Sequence, residues 1–408
     1  ATYIGPGFTV GFAAKGVSMG YLFLGFASLF TLQTILSAKW LAPALRRQTD
    51  CFTIGDVLGK RFNKSAHVVS GVVSFVLCGG FVGAVAKAGG VLLHETTGIS
   101  VAAGVLAITT VGVLYCYTGG LKAVVVTDAL QFLIFSGAIA MLAIFAVRSA
   151  GWDLTALDTY AWKQSSISWQ SMSFVQIIGM ALSFLLGETL IPPYANRALS
   201  AESSRAASSG FYLAAGYSLI WFPLVIGIGI AAGVTNHAKA PDAALLATAK
   251  AVLPHGAYGI LVVALVAIVM STKEGLINAA AVAFAKDVWS PLVCRQHPGE
   301  LLTVSKVATL VVGIVAAAVG LYAPSILDAL LIMYSLWAPT VLPVLVMSLI
   351  LPSPHRQAAT PAMIAGGSAS IVWQFVLSEP LGVPSILPGL AFNLFTFLAV
   401  TKFIKQPH

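Results

Sequence analysis

Apolar runs of about twenty residues recur from one end of the chain to the other, with few charges inside them. A helix of about that length crosses the roughly 30 Å hydrocarbon core of a bilayer. The runs lack the two-residue alternation of barrel strands, so each is expected to be a helix that satisfies its own backbone hydrogen bonds. Of 408 residues, 58% are hydrophobic and 9% charged, and mean hydropathy is +0.92. Soluble domains carry about 25% charged residues. A deficit this deep along the whole chain belongs to a polytopic helical membrane protein, and all of 1–408 reads as one transmembrane domain. The pattern predicts a half-helix over about 1–13, then eleven spans over about 16–46, 65–95, 100–118, 121–148, 171–195, 206–234, 256–286, 301–322, 325–351, 359–377 and 383–403. The first run is too short to span and no Lys/Arg-headed signal peptide precedes it. The chain is therefore expected to begin inside a helix, with part of its N-terminus missing.

The net charge of +8 is arranged as topology rather than as a nucleic-acid footprint. With the half-helix running outward, one side holds Lys39, Arg46, Arg47, Lys60, Arg61, Lys64, Lys122, Arg197, Arg205, Lys286, Arg295, Lys306, Arg356, Lys402 and Lys405. The other holds Lys15, Arg148, Lys163, Lys239 and Lys250, a distribution of 15 against 5. The positive-inside rule makes the richer side, and the C-terminus, cytoplasmic, in a cell (inner or cytoplasmic) membrane. No Walker A motif, nucleophile elbow, HExxH or dinucleotide fingerprint occurs, so an enzyme is not expected. Cys51, Cys78, Cys116 and Cys294 have neither CxxC nor Cys/His spacing, and no disulfide or metal role is expected of them.

Two segments break the smooth helical pattern. The first contains Ile4-Gly5-Pro6-Gly7 and the sixth contains Gly187-Glu188-Thr189-Leu190-Ile191-Pro192-Pro193. Proline lacks an N–H and glycine weakens a helix, so both should be interrupted. The breaks lie five spans apart in oppositely directed segments, the pattern of an inverted repeat whose discontinuous helices form a midplane site. The repeats would cover about 1–150 and 171–351, with extra helices over about 359–403. Ionisable groups inside a bilayer cost about 2.5–3.5 kcal/mol on insertion scales, so each needs a partner or a purpose. The candidates are Lys87, Asp128, Glu188, Lys273 and Glu274, of which Lys273 and Glu274 are expected to pair with each other or with solvent.

Tyr117-Thr118-Gly119-Gly120-Leu121-Lys122-Ala123-Val124, followed by Thr127-Asp128 and Gln131, resembles the signature of the sodium:solute symporter family. Members of that family carry sugars, proline, pantothenate, iodide and monocarboxylates. Ala1-Thr2-Tyr3-Ile4-Gly5-Pro6-Gly7-Phe8 looks like its first core helix, and Thr53-Ile54-Gly55-Asp56-Val57-Leu58-Gly59-Lys60-Arg61-Phe62 like its loop after the second. Met270-Ser271-Thr272 and Lys286-Asp287-Val288-Trp289 look like the two ends of its eighth. The resemblance implies an all-α, LeuT-like five-plus-five inverted repeat and sodium-coupled symport of a small polar organic solute by alternating access. It also implies a Na+ site formed by the hydroxyls of Ser271 and Thr272 and the carbonyls of Ile268, Ala1 and Ile4. Such oxygens, at about 2.3–2.5 Å, suit a hard cation. Asp128 matches a second sodium site present in some members; its other reading is a pairing with Lys122 or Lys273.

Glu188, at the sixth-segment break where the family binds substrate, is the most individual feature. It can recognise an amine, hydrogen-bond a hydroxylated solute, carry a proton, or be held structurally by free N–H groups. Lys87 can partner it, bind a substrate carboxylate, or snorkel. Gln33, Tyr194, Tyr334 and Trp337 are further candidates to line the site. Two other readings stay open at this point: a sensory input domain of a symporter-like signalling protein, and a proton-coupled or uncoupled transporter. Oligomeric state is not readable from the sequence.

Overall fold

Inside a bilayer each backbone N–H and C=O must be bonded within its own segment, and the apolar runs wind into helices accordingly. The computed structural model describes residues 3–118, 121–237, 240–293 and 297–404, with the backbone alone for 121–128 and 298. In order the helices are α1 (7–19), α2 (Tyr21–Arg46), α3 (Ile54–Arg61), α4 (Lys64–Thr97), α5 (Val101–Thr118) and α6 (Leu121–Ser149). Next come α7 (Leu154–Ser171), α8 (Phe174–Leu186), α9 (Pro192–Ser200), α10 (Ser204–Val234), α11 (Ala244–Val252) and α12 (His255–Val293). The chain ends with α13 (Pro298–Tyr322), α14 (Ile326–Thr340), α15 (Leu342–Ile350), α16 (359–376) and α17 (Ile386–Phe403). The described residues contain no strand. Among them, eight helices are long and apolar enough to cross a membrane, and up to ten spans result if each of two bent pairs counts as one. These pairs are α7 with α8, bent by 114°, and α14 with α15, bent by 41°.

Eleven full spans were expected, against these eight to ten among the described residues, and two local differences bear on the site. The first helix runs on past Lys15 to Met19, and the turn into α2 is made at Gly20, whose φ is +54°. A Cβ there would lie 2.2 Å from the Ala161 carbonyl oxygen, so only glycine fits both the backbone angle and the approach. The connection between the fifth and sixth segments is itself a helix, α7. Asp153 caps it by accepting the Ala156 N–H at 2.9 Å. It lies across the α1–α2 turn, where the Tyr160 and Ser168 hydroxyls donate to the carbonyls of Val17 (2.9 Å) and Ser18 (3.1 Å). Ser165 donates to Met19 and accepts the Leu22 N–H at 3.0 Å.

At the other end of the bundle the basic loops meet. Arg46 donates to the Ala201 carbonyl, Arg61 to Ser348 at 2.9 Å, and Asn63 to Arg356 at 2.8 Å. We call this the basic end. Between the two ends, α1 packs on α10 through glycines: a Cβ on Gly16 would meet the Ile226 oxygen at 2.4 Å, and one on Gly229 the Ala13 oxygen at 2.0 Å. Phe8 and Phe12 of α1 pack with Phe23 and Phe30 of α2, Phe184 of α8 and Phe222 of α10. The Phe12–Phe23 contact is edge-on at 4.9 Å, the geometry that aromatic quadrupoles favour.

The last two helices buttress α14. Pro339 has no N–H for the Ser335 carbonyl one turn back, and Ser370 of α16 donates to that carbonyl instead at 2.6 Å. Asn393 of α17 donates to the Pro339 and Thr340 carbonyls at 2.8 and 2.9 Å, on the bend itself. Close approach at Gly229 makes a specific prediction. Gly229→Ala should cost about 1–3 kcal/mol by overpacking, whereas Gly227→Ala, which faces open space, should stay within about 0.5 kcal/mol of the parent. Thermal unfolding of the purified protein in detergent distinguishes the two.

Candidate functional site

Both expected breaks are present. The chain is unwound over residues 3–6, and α1 begins with a π-helical turn at Gly7. The Pro6 carbonyl gathers the N–H groups of Thr9, Val10 and Gly11, and the Thr9 hydroxyl donates to the Gly5 carbonyl at 3.0 Å. The second break covers residues 187–191 between α8 and α9. Leu190 there has φ +50°, a left-handed conformation that costs a branched residue about 1–3 kcal/mol. Trp337 holds the break from α14 by donating its indole N–H to the Thr189 carbonyl at 2.9 Å. Pro192 and Pro193 then start α9, where missing N–H groups cost nothing.

The two breaks face one another across a small cavity of about 40 Å³. Gly5 to Phe8 line one side and Glu188, Ile191, Pro193 and Tyr194 the other; α4 adds Phe81, α12 adds Thr272 and α14 adds Leu330. A void of this size holds a few waters. Glu188 is 4% exposed, and each of its oxygens accepts a tyrosine hydroxyl, Tyr194 at 2.9 Å and Tyr334 at 2.8 Å. Among the described residues no lysine or arginine pairs with it. Tyr334 itself packs on Gly187, where a Cβ would come within 2.3 Å of its ring.

Tyr194 also lines a second cavity, of about 210 Å³, that extends toward the basic end beside Arg197 and Phe211. Tyr3 lines this second cavity, its ring 5.8 Å from that of Tyr194 and its hydroxyl 2.7 Å from Thr34. Tyr194 thus borders both cavities, and Tyr3 packs against it in the second.

Thr272 faces the first break, with its Oγ1 3.4 Å from where a Gly5 Cβ would stand. That oxygen is buried and has no hydrogen-bond partner. Ser271 and Ile268 are buried beside it on α12, and Ile4 is buried in the unwound stretch. An unpartnered buried hydroxyl aimed at an unwound backbone suits an incoming cation. Ala1 and the Asp128 side chain lie outside the described residues. Tyr334 and Trp337 stand at the second break, as described. Gln33 is one step removed, accepting from Thr34 at 3.4 Å, and Thr34 in turn meets Tyr3.

Lys87 is elsewhere. Its ammonium donates to the Ala323 carbonyl at 2.6 Å, at the end of the bundle away from the basic loops, and it is not among the groups around Glu188. Lys273 and Glu274 are buried rather than paired with solvent, at 0% and 3% exposure. Adjacent helical positions point apart, and Lys273 passes the bare Gly112 to donate to the Ile108 carbonyl of α5. Tyr3, which lines the second cavity and packs on Tyr194, is the neighbouring residue that sequence reasoning missed. Its position beside Gly5 was the available signal.

Because two hydroxyls serve one buried carboxylate, they should be coupled to it. Tyr334→Phe is expected to cost about 1.5–3 kcal/mol in the parent protein and clearly less in a Glu188→Gln background. A double-mutant cycle measured by thermal unfolding gives the difference.

The model of the family described as "Sodium:solute symporter family" matches residues 1–366. Sodium/proline symporters from Staphylococcus aureus strains JH9 and USA300 are each 25% identical over 452 aligned positions, covering 99% of this chain and 86% of the relative. A solved Na+-coupled sialic acid symporter, in a substrate-bound outward-open state, superposes with a TM-score of 0.83 at 15% identity, covering 100% of this chain and 89% of that one. The likeness establishes the LeuT-like fold that the family resemblance implied and with which the two broken helices agree. With the match extending over most of its length, this multi-pass membrane protein belongs to the sodium:solute symporter family.

Proposed function

We propose that the chain is a secondary active transporter that couples Na+ entry to symport of a small polar organic solute by alternating access. The observation that carries this reading is the meeting of both helix breaks, the Glu188 carboxylate and the unpartnered Thr272 hydroxyl around one cavity. The sodium/proline relatives and the solved sialic acid symporter supply the choice of ion. In this reading Ser271, Thr272 and the carbonyls of Ile268, Ala1 and Ile4 hold Na+, with Asp128 available to a second ion. The repeats run over about 1–150 and 171–351, and the basic end with the C-terminus is cytoplasmic.

Na+ bound there ties the unwound start of α1 to α12. An ion drives a conformational change only by the difference in its affinity for the two states. Solute bound beside it takes over hydrogen bonds from Tyr194 and Tyr334 and meets Glu188, which favours a solute bearing an amine or hydroxyl groups. A space of about 40 Å³ is smaller than such a solute, so binding must spread the tyrosine rings. Parting of Tyr3 from Tyr194 then joins the pocket to the larger chamber and completes inward release.

The test is uptake into proteoliposomes, using a panel of amino acids, polyols and organic acids with and without an inward Na+ gradient. A Na+-dependent substrate is expected, and the double variant Ser271→Ala/Thr272→Ala should raise the Na+ concentration for half-maximal uptake at least tenfold. Uptake driven equally well by protons alone would rule out sodium coupling.

A further inference from the structure

Far from the pocket, at the basic end, metal-binding side chains from three separate elements converge. Asp56 lies on α3, His67 in the first turn of α4 and Asp287 near the end of α12. One ligand atom from each lies within 4.8 Å of the other two. His67 Nε2 is 3.0 Å from Asp287 Oδ1 and 3.8 Å from Asp56 Oδ1. We propose that Asp56, His67 and Asp287 form a binding site for a divalent transition-metal ion of the zinc class. Ligands at 2.0–2.2 Å in tetrahedral array stand about 3.4 Å apart, and the two measured separations straddle that value. The third separation, between the two carboxylates, lies within 4.8 Å, and binding would draw the three ligands together.

The ligands are held as metal ligands usually are, by outer partners that fix their orientation. Thr53 donates its hydroxyl to Asp287 Oδ1 at 2.6 Å while its oxygen accepts the Asp56 N–H at 3.0 Å, capping α3. Asp56 Oδ2 is occupied by the N–H groups of Phe52 (2.8 Å) and Thr53 (3.2 Å) and by the Lys286 ammonium (2.9 Å). Its Oδ1 is thereby turned toward His67. With the imidazole proton on Nδ1, Nε2 presents its lone pair to the same point.

Glycines clear the space. A Cβ on Gly55 would lie 2.4 Å from Asp287 Cγ, one on Gly71 2.5 Å from Asp287 Cβ, and one on Gly59 2.8 Å from His67 Nδ1. The Asp287 side chain is 1% exposed, whereas that of His67 is 18% exposed and borders a cavity of about 620 Å³ shared with Lys64, Asp56 and Lys286. The site thus has a closed back, an open front and room for water as fourth ligand. Lys286, 35% exposed and 4.0 Å above the Phe52 ring, has freedom to turn toward water. One imidazole with two carboxylates suits Zn²⁺, Co²⁺ or Ni²⁺, while an imidazole ligand disfavours Mg²⁺ and Ca²⁺.

Bound metal would fasten the end of α12 to α3 and α4. The assay involves no transport, so its outcome is independent of the symport reading. Purified protein without a polyhistidine tag is stripped with EDTA and titrated with Zn²⁺ while thermal unfolding is followed; Co²⁺ is added to a second sample for its visible absorption. A saturable rise in Tm and Co²⁺ bands typical of low coordination are expected, with apparent affinity at least tenfold weaker in His67→Gln and Asp287→Asn. If Asp287→Asn does not fold, His67→Gln and Asp56→Asn carry the comparison. No response to Zn²⁺ or Co²⁺, an equal response in the variants, or an equal response to Ca²⁺ would overturn the proposal.

Discussion

A chain that leaves the helical path inside hydrocarbon strands N–H and C=O groups, at several kcal/mol for each one left unpaired. The two breaks can exist only because neighbouring side chains bring the missing partners. Thr9 serves Gly5 within the first break, and the Trp337 indole serves Thr189 in the second. The tryptophan is useful only if α14 is itself held still, although Pro339 bends it. Ser370 and Asn393 supply the donors that this bend requires. The support for the pocket therefore extends to the outermost helices, which line no part of it.

The same economy governs charge. Glu188 borders a small cavity, and its oxygens are satisfied by the hydroxyls of two tyrosines rather than by a fixed cation. A guanidinium or ammonium fixed beside it would have made the site an inert ion pair. Tyr194 plays two parts: it donates to Glu188 and borders both cavities, with Tyr3 beside it in the larger one. One side chain thus connects the buried carboxylate to the space that extends toward the basic end.

The helices and the breaks were legible in the sequence because hydropathy and Gly/Pro chemistry act locally. Gly5-Pro6-Gly7 and Ile191-Pro192-Pro193 announce an interruption wherever they stand in an apolar run. α7 was not legible as a helix, since its polar surface gives no spanning run and its role depends on meeting Val17 and Ser18, more than a hundred residues away. The position of Glu188 in the site was readable, but its service by Tyr334 joins residues 146 apart and is a product of packing. The partner of Lys87 was not legible for the same reason: a lysine in a span declares a need for an acceptor without saying that the Ala323 carbonyl, just past α13, will meet it. Asp56 and Asp287 each stood in a recognisable motif, yet nothing in either points to the other or to His67.

At the end of the bundle away from the basic loops, α7 connects the two broken helices. α7 grips the α1–α2 turn through Tyr160, Ser165 and Ser168, and it is joined to α8 by two residues at a 114° bend. The turn closing the first broken helix and the start of the second are thereby fastened to a common crossbar. The two broken helices thus share an anchor at α7, made by these hydrogen bonds and a two-residue joint, that lies outside the pocket.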